Sequence, residues 1–329
     1  MIESLINIIL FTMLAATSLA VVRLHNLFAI TMLFGVYSLL SAVIFVELDA
    51  VDVAFTEAAV GAGISTMLIL STLVITGHHE KNPKHGPWLP LVVVILTGAV
   101  LAWGTLDMPL FGSLDNPIHQ HVAPRYIQDS PEEIGIPNMV TSVLASYRGY
   151  DTMGEVVVVF AALIGVLALI GINEKKCAKR QYSSDERPPR PVLQVMSKLL
   201  IPYIMLFALY VQFHGDFGPG GGFQAGVIFA AAIILYTLTF SLDDAFDLIS
   251  PRVLRPLAAI GVLIYGGTGI VTMLLGGTFL NYSVLAGDPK SGQHYGILAI
   301  EFGVGLTVAT VMMLIFYAFV SRGEKGKVE

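Results

Sequence analysis

Cysteine is almost missing from these 329 residues. Cys177 stands alone, which excludes an internal disulfide framework, a CxxC redox pair and any cluster held by thiolates of this chain. Charge is scarce as well, at 13% of residues against about 25% in soluble domains. There is no basic surplus, because 18 Lys and Arg face 24 Asp and Glu for a net charge of −6. A nucleic-acid partner is therefore not expected. No internal repeat, collagen-like period or coiled-coil heptad organises the chain. What fills it is apolar: 55% of residues are hydrophobic and the mean hydropathy is +0.76, with the charges confined to gaps between long blocks.

A helix needs about 20 mostly apolar residues to cross a bilayer core of about 30 Å. Nine such blocks are present, over 4–22, 27–48, 53–76, 88–105, 152–172, 193–213, 223–242, 254–276 and 296–320. They are too long and too uniformly apolar for the ten-residue alternation of a membrane barrel. The first block lacks a basic n-region and a small-residue cleavage site, so it reads as a real span rather than a signal peptide. The expected fold is an all-α integral membrane protein. Nine crossings place the ends on opposite sides. Loops on the side of the C-terminus carry fourteen Lys and Arg, six of them in 174–191; the other side has three, Arg125, Arg148 and Lys290, and Lys198 within the sixth span completes the 18. The positive-inside rule then predicts a cytoplasmic C-terminus and an outer N-terminus.

Two breaks punctuate the chain. Segment 174–191 (EKKCAKRQYSSDERPPRP) has linker composition, and 78–86 (HHEKNPKHG) is a shorter interruption. They predict a three-helix module over 1–80, a two-helix module with a long external loop over 87–173, a cytoplasmic linker over 174–191 and a four-helix module over 192–329. Within the long outer segment 107–151, the mildly apolar stretch 138–147 has the composition of a short surface helix.

Acids inside the spans carry the functional signal. A charge at lipid depth costs at least about 2.5–3.5 kcal/mol on insertion scales and marks an ion path or a paired structural site. Glu57 in the third span, with Asp52 at its mouth, Glu155 at the start of the fifth and Glu301 in the ninth are the candidates. By the predicted topology each glutamate lies one to two turns below the outer surface. Such a carboxyl can hold a proton or shed it to hold a cation, although hydrogen bonds from neighbouring helices would satisfy it equally well. Lys198 is a possible relay partner, but a lysine there more commonly snorkels to the headgroups.

Other patterns have plainer readings. His78, His79, His85 and Glu80 share a loop with no spacing that fixes a metal site, and no metal is expected. Gly220-x-Gly222-x-x-Ala225 fits a relaxed dinucleotide fingerprint but joins two spans instead of a strand and a helix. No cofactor is expected. That glycine run reads instead as backbone that bends sharply or approaches a neighbour closely, flanked by His214 and Asp216. Glycines at 261, 266, 267, 269, 303 and 305 read as helix packing. With no nucleophile–base pair or phosphate loop in context, catalysis within the chain is not expected.

HGDFGPGGGFQAGVIFAAAIIL (214–235), with His214, Asp216, Gly218, Gly220, Gly221 and Gly222, resembles the B-type subunit of the Mrp-type multisubunit Na⁺/H⁺ antiporters and the matching subunit of membrane-bound hydrogenases. RGYDTMGEVVVV, with Arg148, Asp151 and Glu155, resembles the opening of the last helices of the large A-type subunit. DAVDVAFTEAAVGAG resembles the three-helix region before it. The resemblance implies a fusion of the C-terminal part of the A-type subunit with the B-type subunit, in a bacterial or archaeal cytoplasmic membrane. It implies an ion-translocating subunit whose partners are the antiporter-like large subunits and small membrane subunits, with Na⁺, H⁺ and the lipid bilayer around it. It also implies a departure, the lack of the many-helix antiporter-like domain of the A-type subunit. In the A-type pattern a second glutamate often stands where this chain has Gly61. The alternative implied is the membrane subunit of a hydrogenase or related redox complex.

Overall fold

The computed structural model describes residues 2–80, 88–110, 112–172 and 191–323. Nearly all of the charged linker expected at 174–191, and His85 of the 78–86 break, lie outside them. Among the described residues nine helices are long and apolar enough to cross a membrane. They are α1 (Ile2–Arg23), α2 (Leu27–Glu47), α3 (Val51–Thr76), α4 (Trp88–Thr105), α5 (Gly149–Leu169), α6 (Pro191–His214), α7 (Gly222–Thr239), α8 (Pro251–Leu274) and α9 (Pro289–Gly323). The nine-span all-helical expectation holds. The ninth helix differs most from its predicted limits, because seven polar or small residues (PKSGQHY) continue the helix ahead of the apolar run. Glu301 therefore stands about 18 Å along α9 at 1.5 Å per residue.

Helix ends follow local chemistry. The Asn26 side chain accepts from Phe28 N at 3.0 Å and Ala29 N at 3.1 Å, capping α2. His25 Nδ1 meets Glu80 at 3.0 Å, so Glu80 closes the α1–α2 turn. In α3 the small-residue run Ala58–Ser65 is a π-helical turn starting just after Glu57, a feature that often marks function. The outer segment before α5 is largely short helical turns, including Met139–Thr141 and Ser142–Tyr147, where a surface helix had the right composition.

Lipid is as apolar as leucine, so helices in a bilayer associate by close packing of small residues and by hydrogen bonds. α9 is the centre of that packing, lying against α7, α8, α5 and the Thr66–Thr76 end of α3. Gly222 and Gly226 of α7 press on α9, where a Cβ would strike the Glu301 and Gly305 carbonyl oxygens. Gly261 of α8 and Gly303 of α9 face each other in the same way, whereas Gly266 and Gly267 face open space, so the packing reading fails for that pair. Tyr265, Tyr282, Phe316 and Tyr317 are fully buried around this axis.

Candidate functional site

The turn between α6 and α7 closes over the Glu301 side chain. His214 O accepts from Phe217 N and Gly218 N at 2.9 and 3.0 Å, and Gly221 N reaches back to Val211 O at 3.1 Å. Gly221 sits at φ +117°, where a side chain would be strained. The turn thus bends sharply and also brings Gly222 onto α9. Two of its glycines leave room for the carboxylate: a Cβ on Gly215 or Gly221 would come within 3.3 Å of a Glu301 oxygen.

Residues from far along the chain hold this turn. Asn138 Nδ2 donates to Gly215 O at 3.0 Å and Gly218 O at 2.9 Å, and Thr141 Oγ1 donates to Gly215 O at 2.7 Å. Gly220 N donates to Asp52 Oδ1 at 3.2 Å. Gln224 Nε2 donates to Thr56 Oγ1 at 2.7 Å, which pins α7 to α3.

Glu301 is 9% exposed, and its Oε2 is buried with no hydrogen-bond partner. Asp216 and Asp52 lie close enough to repel it electrostatically. Asp216 is itself buried; Oδ2 meets His294 Nδ1 at 2.9 Å while Oδ1 has no partner. A buried polar atom without a partner costs about 1–3 kcal/mol, and more when charged. Burial raises the Asp216 carboxyl above its ordinary range, and His294 offsets part of that rise.

Of the residues singled out in the sequence, the structure gathers Asp52, Asp216, Glu301 and the glycines at 218 and 220–222. It leaves Glu57, Arg148, Asp151, Glu155 and Lys198 elsewhere, while His214 joins the turn through its carbonyl. Glu57 leans toward Ser38 of α2 over Gly61, where an added Cβ would come within 2.7 Å of both side chains, so Glu57 fills space where the A-type pattern puts a second acid. Glu155 is exposed on α5, one turn after Asp151, which pairs with Arg148 at 2.6 Å. His214 stacks on Tyr210 at 4.8 Å. Lys198 is exposed, its ammonium 5.4 Å from the Phe240 ring centroid and about 24 Å along α6 from His214. Sequence reasoning missed Asn138, Gln224 and His294. It also missed Tyr265, whose hydroxyl donates to Gly149 O at 2.6 Å and so fastens the RGYDTMGE segment to α8. His294 alone left a signal, standing seven residues before Glu301 on one helix face.

Residues 192–314 match the family described as a domain related to the MnhB subunit of Na⁺/H⁺ antiporters. A putative antiporter subunit mnhB2 of Staphylococcus aureus is 33% identical over 38% of this chain and 88% of its own length. The chain belongs to the MnhB-related family of antiporter subunits. Upstream, 12–77 and 90–175 match the MbhD and MbhE families, described as the D and E subunits of MBH, which fits an A/B fusion. The A/B subunit of a probable K⁺/H⁺ antiporter of Rhizobium meliloti is 25% identical over 90% of this chain, which spans 32% of that relative's length. The fold is similar to a chain of the Mrp complex from Dietzia sp. DQ12-45-1b, with TM-score 0.74, 24% identity, and coverage of 94% of this chain and 34% of that one. A chain of the archaeal membrane-bound sulfane sulfur reductase is also similar, with TM-score 0.54, 30% identity, and coverage of 70% of this chain and 97% of that one.

Proposed function

We propose that this multi-pass membrane protein is a non-catalytic subunit of a multisubunit cation/proton antiporter, and that Glu301 is a proton-exchange group in it. The observation that carries the reading is a buried carboxyl with one oxygen unpartnered, close enough to two further acids for them to repel it. Such a group rests in a low-dielectric site only when protonated or paired, and Asp52 and Asp216 oppose its charge. The names of the relatives supply the class: Na⁺/H⁺ exchange in the MnhB description, K⁺/H⁺ exchange in the Rhizobium name. Sodium is the cation favoured here.

Glu57 and Glu155 belong to the cation route in this reading. Glu155 faces outward from α5, and a lipid-facing carboxylate is costly, so the face around it is where a companion membrane chain docks. The modules at 1–80, 87–173 and 192–329 supply the α3, outer-segment and α6–α9 walls of the Glu301 pocket. The outer N-terminus predicted from Lys and Arg places this pocket on the proton-rich side.

Glu301→Gln in the complete complex, assayed for cation/proton exchange in membrane vesicles, is expected to assemble and to lose about a hundredfold in rate, the lower end of a general acid–base contribution. Wild-type exchange by the assembled variant would overturn the role. A second reading, favoured by the MBH-type matches and the sulfane sulfur reductase likeness, puts the same pocket in a redox-driven ion pump. Co-purification with redox-cofactor subunits, not with small antiporter subunits alone, would establish that reading.

A further inference from the structure

The wall of the Glu301 pocket holds a group that proton exchange at Glu301 does not by itself require. His294 lies two turns ahead of Glu301 on α9. Its side chain is 44% exposed, whereas the Asp216 carboxylate it touches is 5% exposed. A wet imidazole is thus joined through one 2.9 Å contact to a dry carboxylate; that carboxylate's other oxygen is unpartnered, as is Glu301 Oε2, and Asp216 lies close enough to Glu301 to repel it. Imidazole is the side chain that changes charge between pH 5 and 8. A purely structural pair would need no free oxygen on its buried side.

We propose that His294 and Asp216 form the proton port of the Glu301 pocket, a claim that rests on the proton-exchange role of Glu301. Hydronium gives a proton to His294 Nε2 and becomes water. The Nδ1 proton then passes to Asp216 Oδ2, leaving a neutral ring that resets by turning over. Asp216 passes the proton through one intervening water to the Glu301 carboxylate. The net change is one proton taken from bulk water and one carboxylate neutralised; the reverse sequence releases it.

The other titratable groups around the path are fixed by the same packing. Asp52 of α3 acts on Glu301, and Glu301 acts in turn on Tyr265 of α8. Tyr295 lies beside His294, with ring centroids 6.1 Å apart, and one turn before His294 the Lys290 ammonium is held by Glu132 at 3.1 Å. With Lys290 engaged by Glu132, His294 is the base set against Asp216.

The test uses the complete complex in vesicles, with rates normalised to assembled complex. His294→Gln keeps a polar side chain but cannot carry a proton. It is expected to slow exchange about a hundredfold at pH 8, where hydronium is scarce, the low end of a proton-transfer contribution, and much less at pH 6. His294→Ala is expected to recover several-fold when imidazole is added, which a merely structural histidine would not do. A wild-type pH profile in His294→Gln, or no imidazole response in His294→Ala, overturns the port. If Glu301→Gln is inactive while His294→Gln keeps the wild-type profile, the port alone falls. If Glu301→Gln exchanges ions at the wild-type rate, the proton-exchange role falls with it.

Discussion

α9 and α4 are both apolar helices, yet 78% of the best apolar window of α9 is buried and none of that of α4 is. Hydrophobicity does not separate them, because both are suited to lipid. What separates them is how small residues are used. Glycines of α7, α8 and α9 bring backbone against backbone, whereas Gly98 and Gly104 of α4 have nothing near them. A membrane core is made where glycine lets helices touch, and the sharply bent backbone at its edge, the α6–α7 turn, is where the unpartnered acids collect. Around α9 the chain supplies its own partners; around α4, α1 and the exposed Glu155 face it presents surface to lipid or to other chains.

The largest structural test of this contrast is Gly222→Ala. The new methyl lands on the Glu301 carbonyl oxygen, and overpacking of this kind costs about 1–3 kcal/mol. The thermal midpoint of the detergent-solubilised chain is expected to fall, with exchange activity falling alongside because Glu301 moves. A Gly104→Ala control on α4, with open space above it, is expected to lower neither. Next in size is Asn138→Ala, which strands the Gly215 and Gly218 carbonyls that Asn138 now satisfies. Gly215 O keeps Thr141, so the expected cost is about 1–2 kcal/mol, close to one unsatisfied buried group. Hydrogen exchange at Gly218, Gly220 and Gly221 should accelerate, and unchanged protection there would show that the turn does not depend on the outer segment.

The sequence made the spans legible because a bilayer demands a minimum apolar run, and that demand is local. Glu301 was legible for the same reason, as an acid inside such a run. Its surroundings were less so. Asn138 meets Gly215 and Gly218 across 77 and 80 residues, and nothing in a loop rich in Pro and Glu distinguishes it from its neighbours. His294 was overlooked because it falls in the polar stretch before the apolar block, which looked like loop but is the first two turns of α9. Glu155 and Glu301 look alike as acids near span ends, yet one faces out and the other is enclosed. That difference belongs to which helices surround them, a property no single span contains.

The glycine pairs of α8 sharpen the comparison at its smallest scale. Gly261 and Gly266 occupy the same helix and are identical in sequence terms, but only Gly261 meets α9, at the Gly303 carbonyl and Thr307. In a helix interior, alanine is favoured over glycine by about 0.5–1 kcal/mol when space allows. Gly266→Ala, with open space above it, is therefore expected to hold or slightly raise the thermal midpoint of the solubilised chain. Gly261→Ala should lower it through collision with Thr307. If both substitutions shift the midpoint alike, the difference between a glycine that brings helices together and one that merely faces lipid or a companion chain does not hold on this helix, and the account of α9 as a core built by glycine contact fails with it.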